Sequence, residues 1–289
     1  KEFKENLKVD FTYPYSNHKL QFGVAGLYKD RTFEVFNYRL DATSRSGIPV
    51  DPDYFLRDEN IWTSSERSGT YLTGNAEPTN NYDARSSVLA GYLMTEMTFG
   101  NLKAIYGARI EKADMFYTGI NSRGRQFNDE KTLDEINVLP SVNLVYALTE
   151  TMNIRGSFGQ TLARPSFREK SAAQIYDPIT KRFFNGNLDL EQTMISNYDV
   201  RWENFFDNAD MISLSGFYKD FDGHIEMVTY DVATDNVKPR NAGTSRVYGV
   251  ELEVRKNLDF IASTLSNVSI GTNVTLTNSE VDLNSVIIN

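Results

Sequence analysis

Leu102-Lys103-Ala104-Ile105-Tyr106-Gly107-Ala108-Arg109-Ile110-Glu111 places apolar side chains at even positions and Lys103, Arg109 and Glu111 at odd ones. Successive side chains of an extended strand point to opposite faces, so this period of two gives one greasy face and one wet face. The same parity returns in Val138, Val142, Leu144, Tyr146 and Leu148 against Asn137, Ser141 and Asn143. Tyr198, Val200 and Trp202 repeat it against Asp199, Arg201 and Glu203, as do Ile212, Leu214 and Tyr218 against Ser213, Ser215 and Lys219. Tyr248, Val250, Leu252 and Val254 alternate with Glu251, Glu253 and Arg255, and Val268, Ile270, Val274 and Leu276 close the series. Antiparallel neighbours must bring like faces together, and partners share parity when their positions sum to an even number. A constant even apolar face is therefore expected of one continuous sheet.

The alternating runs are about 10 to 14 residues long, above the usual strand mode of about 5 to 6 and near the 9 to 11 that a tilted strand needs to cross hydrocarbon. Connections alternate too. Short turns are expected at Phe99-Gly100-Asn101, Thr149 to Met152 and Phe206 to Asp210, with a slightly longer one from Leu258 to Asn267. Long polar stretches separate them at Asp41 to Arg85, Asn121 to Ile136, Ala163 to Thr193 and Phe221 to Thr244. Short turns on one rim and long loops on the other are the habit of outer-membrane barrels. The expected fold is all-β: about ten strands of a larger antiparallel up-and-down transmembrane β-barrel. A soluble antiparallel β-sandwich, serving extracellular binding or adhesion, is the alternative, because it alternates in the same way and buries its apolar face.

Composition narrows the function classes. The 289 residues hold 16 Tyr and 18 Phe, yet charges interrupt every long window. No apolar run approaches the roughly 18 residues of a spanning helix, and clusters such as Val286-Ile287-Ile288 are short. A net charge of -9, with Lys and Arg scattered, argues against a nucleic-acid partner. With no Cys and only two His, thiolate zinc sites, disulfides and Cys nucleophiles are out of reach. The Lys1-Glu2-Phe3-Lys4 start has no signal-peptide character, so an exported chain is expected here as a mature or excised piece.

Leu139-Pro140-Ser141-Val142-Asn143-Leu144, followed by Ser157-Phe158-Gly159-Gln160-Thr161-Leu162-Ala163-Arg164-Pro165-Ser166-Phe167-Arg168-Glu169, resembles TonB-dependent outer-membrane receptors. Asn185 to Leu190, Asn197 to Glu203, Ser213 to Lys219, Arg246 to Glu253, and upstream Tyr92-Leu93-Met94 with Tyr106 to Glu111 are similar to the same barrels, and Lys19 to Arg31 fits loosely. The resemblance covers nearly the whole chain. It implies a nutrient importer of the Gram-negative outer membrane, taking up a siderophore, vitamin, glycan or peptide with inner-membrane energy. Its implied partners are outer-membrane lipid, the TonB complex acting through a plug domain, and a surface lipoprotein. Neither the family's plug nor its aromatic last residue is recognisable, and the chain stops at Asn289, so residues 1–289 are expected to be a middle-to-late section of the transport barrel.

No residue is assigned a catalytic, cofactor or metal role, no cofactor is expected, and substrate-contacting residues stay unassigned. Glu251 with Glu253, and Arg109 with Glu111, stand two apart on one strand face and read as a polar ladder rather than as an acid/base pair. Gly156-Ser157-Phe158-Gly159 lacks the spacing of a nucleophile elbow. Asp220, Asp222 and Gly223 share the opening of a calcium loop without its later ligands. His18 is placed at a turn and His224 in a loop. Tyr54, Phe55, Trp62, Tyr71, Phe183 and Phe184 are loop aromatics able to stack on a ligand or on one another. Arg164 and Arg168 read as ion-pair partners beneath the loop that they open.

Overall fold

The computed structural model describes residues 1–16, 18–43, 51–65, 67, 69–207, 210–230 and 233–282. Its strands are β1 (Glu2–Tyr15), β2 (His18–Phe33), β3 (Phe36–Thr43), β4 (Gly69–Ala76), β5 (Tyr82–Phe99), β6 (Leu102–Ile120), β7 (Gln126–Ala147) and β8 (Met152–Ala163). They continue with β9 (Gln174–Asp177), β10 (Arg182–Asn185), β11 (Thr193–Phe205), β12 (Met211–Asp222), β13 (Ile225–Tyr230), β14 (Ala233–Asn241), β15 (Thr244–Asn257) and β16 (Ser269–Val281). Among the described residues, no helix is long and apolar enough to cross a membrane, which says nothing of a barrel.

One ten-stranded antiparallel sheet, in the order β1-β2-β5-β6-β7-β8-β11-β12-β15-β16, forms the body of the molecule. Its apolar face is uncovered: Leu93 is 56% exposed, Leu214 52% and Val250 50%. A sandwich would have laid a second sheet over those side chains, whereas a lipid-facing wall leaves them bare.

The expected even parity holds in β2 and from β6 onward but not in β1 or β5. Leu7, Val9, Phe11 and Tyr13 of β1, and Leu89 and Leu93 of β5, put the apolar face on odd positions. The registers give the reason. Tyr15 pairs with His18, Phe33 with Tyr82 and Phe99 with Leu102, and each sum is odd, so parity flips at each pairing. Val142 pairs with Phe158, and that sum is even, as are those of every later pairing in the wall. At the β5–β6 turn Gly100 takes a φ of 56°, which glycine adopts without a Cβ penalty.

The turns at Gly100 and Glu150 lie on one rim. The connections holding Ser64, Arg123, Asp177 and Asp235 lie at the opposite strand ends, as loop length predicts. Asn208, in the turn expected from Phe206 to Asp210, lies outside the described residues, as does the Val286–Ile288 cluster. One expected loop is corrected: Asn121 to Ile136 is mostly strand, because β7 already begins at Gln126, and only 121–125 connects it to β6. The other long stretches carry strands of their own. β3 pairs with β4 as a ribbon, and the connections after β8 and β12 combine into a four-stranded sheet in the order β13-β14-β10-β9.

The β7–β8 ladder is short. It runs only from Ser141–Gly159 to Ala147–Asn153, while β7 continues upward paired with β6 alone. Pro140, which lacks an N–H, stands at the point of divergence.

Candidate functional site: the inner wall and its mouth

The polar face carries charge in cross-strand sets. Glu203 on β11 is 3% exposed and accepts hydrogen bonds from Arg155 Nε (2.6 Å), Asn153 Nδ2 (3.3 Å) and Arg201 Nε (3.2 Å). Arg201 reaches on to Glu253 at 2.9 Å, which links β8, β11 and β15 across the face. These guanidinium and amide donors supply the hydrogen bonds that a carboxylate so shielded from water needs. Glu251 accepts from Asn273 Nδ2 at 2.5 Å and Ser157 Oγ donates to Asp199 at 3.2 Å, so the residues weighed as acid/base or nucleophile candidates serve the ladder.

Toward the long-loop rim the polar face becomes apolar. Tyr82 and Ala84 of β5, Ala113, Met115 and Tyr117 of β6, and Phe127 and Leu133 of β7 are all buried. The segment after β8 covers them with Phe167 and Ala173, so this loop folds inward against the wall. Burial pushes the Tyr117 phenol up to about 12. Two side-chain bridges cross the seam that the short β7–β8 ladder leaves open. Arg164 donates to Glu111 Oε2 at 2.6 Å, and Gln192 donates to Asn137 Oδ1 at 2.6 Å. The ion pair expected beneath the loop is therefore present for Arg164, and Arg109 shares the same carboxylate at 2.5 Å. Arg168 does something else: its guanidinium lies over the Phe184 ring, 4.2 Å from the centroid.

Inside the loop, Lys170 is 2% exposed and its Nζ donates to Leu188 O at 2.7 Å and to Leu190 O. Burial without an ion-pair partner pushes its ammonium down to about 8. Asn187 Nδ2 donates to Pro239 O at 3.1 Å, so the β8–β11 and β12–β15 connections are joined as well as paired. On that small sheet the Phe183 ring packs tilted against Tyr176 with 5.0 Å between centroids, while Phe184 is buried. Tyr54 and Phe55 fall in a one-turn helix, and Trp62 and Tyr71 lie on or beside β4. His18 sits at the β1–β2 turn between the Tyr15 and Phe99 rings. Asp220 ends near β12's tip, facing Arg246 at 3.6 Å. Beside Arg164, at the upper end of the polar face, lies a cavity of about 420 Å³ whose lining includes Glu169, Ile195, Phe221, His224 and Glu226. Sequence reasoning missed this place, because its walls come from two connections and from strands far apart in the chain.

The family model described as TonB dependent receptor-like, beta-barrel, matches residues 2–286. The chain belongs to this family. Solved TonB-dependent receptors share the architecture of this barrel section. The unliganded ferric citrate transporter FecA has a TM-score of 0.61 at 16% identity, covering 97% of this chain and 36% of that one. The FrpB iron transporter from Neisseria meningitidis gives 0.58 at 9% identity, covering 97% and 36%. The copper transporter OprC gives 0.61 at 13% identity, covering 96% and 37%. The chain thus spans little more than a third of these receptors' length. No curated protein matches it. The family is one of Gram-negative outer-membrane transporters rather than of enzymes.

Proposed function

We propose that this TonB-dependent receptor section forms wall and outer mouth of an outer-membrane importer that takes up a nutrient using inner-membrane energy. The uncovered apolar face of the ten-stranded sheet carries this reading: it needs lipid to cover it, and a polar face behind it can line a lumen. The partners are outer-membrane lipid, the TonB complex acting through a plug domain, and a substrate captured at the mouth, with a surface lipoprotein as a further candidate. The substrate classes this reading admits are siderophore, vitamin, glycan and peptide, since one barrel architecture serves many cargoes.

Topology tests the reading. Single Cys residues at Ser64, Arg123, Asp177 and Asp235 should react with an impermeant thiol reagent on intact cells. Cys at Gly100, Glu150 or Asn208 should react only after the outer membrane is opened. Labelling of a turn and its neighbouring loop from the same side would sink the barrel topology, and uniform labelling would return the soluble sandwich.

A further inference from the structure

The polar face of the wall turns apolar at a second place besides the patch under Phe167. Ile195, Phe221, Ser245 and Val281 stand in one cross-strand row on β11, β12, β15 and β16, near the long-loop rim. All are odd residues, so they share a face with Glu203 and Glu253. This row forms the floor of the cavity of about 420 Å³ beside Arg164, and Ile195 and Phe221 are only half-buried there. The β8–β11 and β12–β15 connections supply its roof, with Arg164, Glu169, His224 and Glu226.

The roof holds unmet hydrogen-bonding capacity. Both ring nitrogens of His224 and the Nε of Arg164 are shut off from water with no hydrogen-bonded partner. Arg164 Nη2 is committed to Glu111 Oε2, and the other oxygen of that carboxylate goes to Arg109 Nε. Glu226 Oε1 comes within 3.2 Å of His224 Nε2 but is not aligned as an acceptor. Buried polar groups are nearly always paired, so orphans gathered at one cavity point to a partner that enters it.

Charge and donor count decide its chemistry. Glu169 accepts from the Ser166 backbone N–H at 2.7 Å, and among the described residues neither Glu169 nor Glu226 has a lysine or arginine partner. Two such carboxylates repel an anion. They would welcome an ammonium, but the N–H groups of Arg164 and His224 need an acceptor, which an ammonium lacks and a hydroxyl has. A ring with hydroxyls at its edge and C–H groups on its faces meets the roof and the apolar floor together.

We propose that the cavity takes a short neutral saccharide, one pyranose lying on the Phe221 ring with its hydroxyls in the roof. The proposal rests on the reading of this chain as an importer's mouth and selects one cargo class from it. A cavity of this size suits a small molecule of a few rings.

The test uses the full-length receptor carrying this chain, purified in a polyoxyethylene detergent that brings no sugar of its own. Isothermal titration calorimetry is run with neutral di- and trisaccharides of glucose, galactose, mannose and xylose, and with a ferric tris-catecholate and spermidine as charged comparators. At least one saccharide should bind, and neither comparator should. Phe221→Leu keeps an apolar floor without the ring, and Glu226→Gln keeps the shape without the charge. Each should weaken that saccharide about tenfold. Glu251→Gln, lower on the same face, should leave its affinity unchanged, and all three variants should keep the heat-modified gel mobility of a formed barrel. No saccharide bound, preference for either comparator, or equal affinity in the Phe221 and Glu226 variants would overturn the proposal. Failure of the importer reading would look different: the thiol pattern on cells would collapse whatever the calorimeter shows.

Discussion

The lower and upper halves of β6 obey opposite rules. From Leu102 to Ile110 the even residues are apolar and outward, a span that a strand tilted by about 40° turns into about 23 Å of height, close to the hydrocarbon band. Beyond Glu111 the even residues Lys112 and Asp114 are charged, and the odd ones, Ala113, Met115 and Tyr117, are buried. The strand itself continues unbroken and its pleat is unchanged. What differs is the cover: the segment carrying Phe167 lies inside the upper half, whereas on the proposed reading lipid lies outside the lower half. Apolar side chains follow whatever excludes water, and on that reading the crossover in β6 marks the edge of the membrane.

The comparison can be broken by mutation. Phe167→Ala removes the side chain that seats the loop on the upper patch, and a buried Phe of this kind should cost about 3 to 5 kcal/mol. The loss should appear as faster hydrogen exchange confined to residues 164–190 and the upper ends of β5 to β7, with the lower band still protected. A wall that loosens along its whole length would mean that the halves are not separately covered.

Arg placed at Val142, Leu214 or Val250 should cost about 2 to 4 kcal/mol near the midplane, while Arg at Asn143, Ser215 or Glu251 should cost far less. The sharper version compares heights: Asp114→Arg in the upper half should be tolerated on the outward face that rejects Arg lower down. Folding titrations into lipid vesicles measure each of these. Equal penalties on the two faces of the lower half would refute the lipid assignment.

The smallest effect concerns pH. The Lys170 ammonium sits below its ordinary range when the loop is folded, at about 8, so the unfolded loop binds more protons between about 8 and 10.5. Stability therefore rises with pH across that window, by at most about 2 to 3 kcal/mol. Exchange rates in residues 164–190 should show this gain relative to Lys170→Met. A loop that loosens as pH rises from 8 to 10 would contradict the assignment.

Much of the lower half can be read directly from the sequence, because lipid imposes a simple rule on each strand separately. Leu102 to Ile110 or Tyr248 to Val254 declare their faces without reference to any neighbour. The upper half could not be read that way. Asp129, Glu130 and Lys131 look like a loop, yet they belong to a strand, on a stretch that the proposed reading places above the lipid. β10 pairs with β14 across a long sequence separation, which local patterns do not encode. Arg164 was recognisable as a charge beneath a loop. Its partner Glu111 was not, because a cross-seam contact depends on where the β7–β8 ladder stops.

The odd-sum turns have a consequence for how such a chain can change length. At Gly100-Asn101, adding or deleting a single residue would turn every side chain of the following strand inside out, setting Lys103 and Arg109 against lipid, unless a bulge absorbed the extra residue. Changes there must come in twos or be compensated within the same hairpin. The long connections after β2, β8 and β12 impose no such arithmetic, since their slack can swallow a residue before the next strand begins. One rim of the wall is thus closed to single-residue insertion and deletion, while the other is free to diversify one residue at a time. That freedom falls on the rim where a captured molecule would be met first.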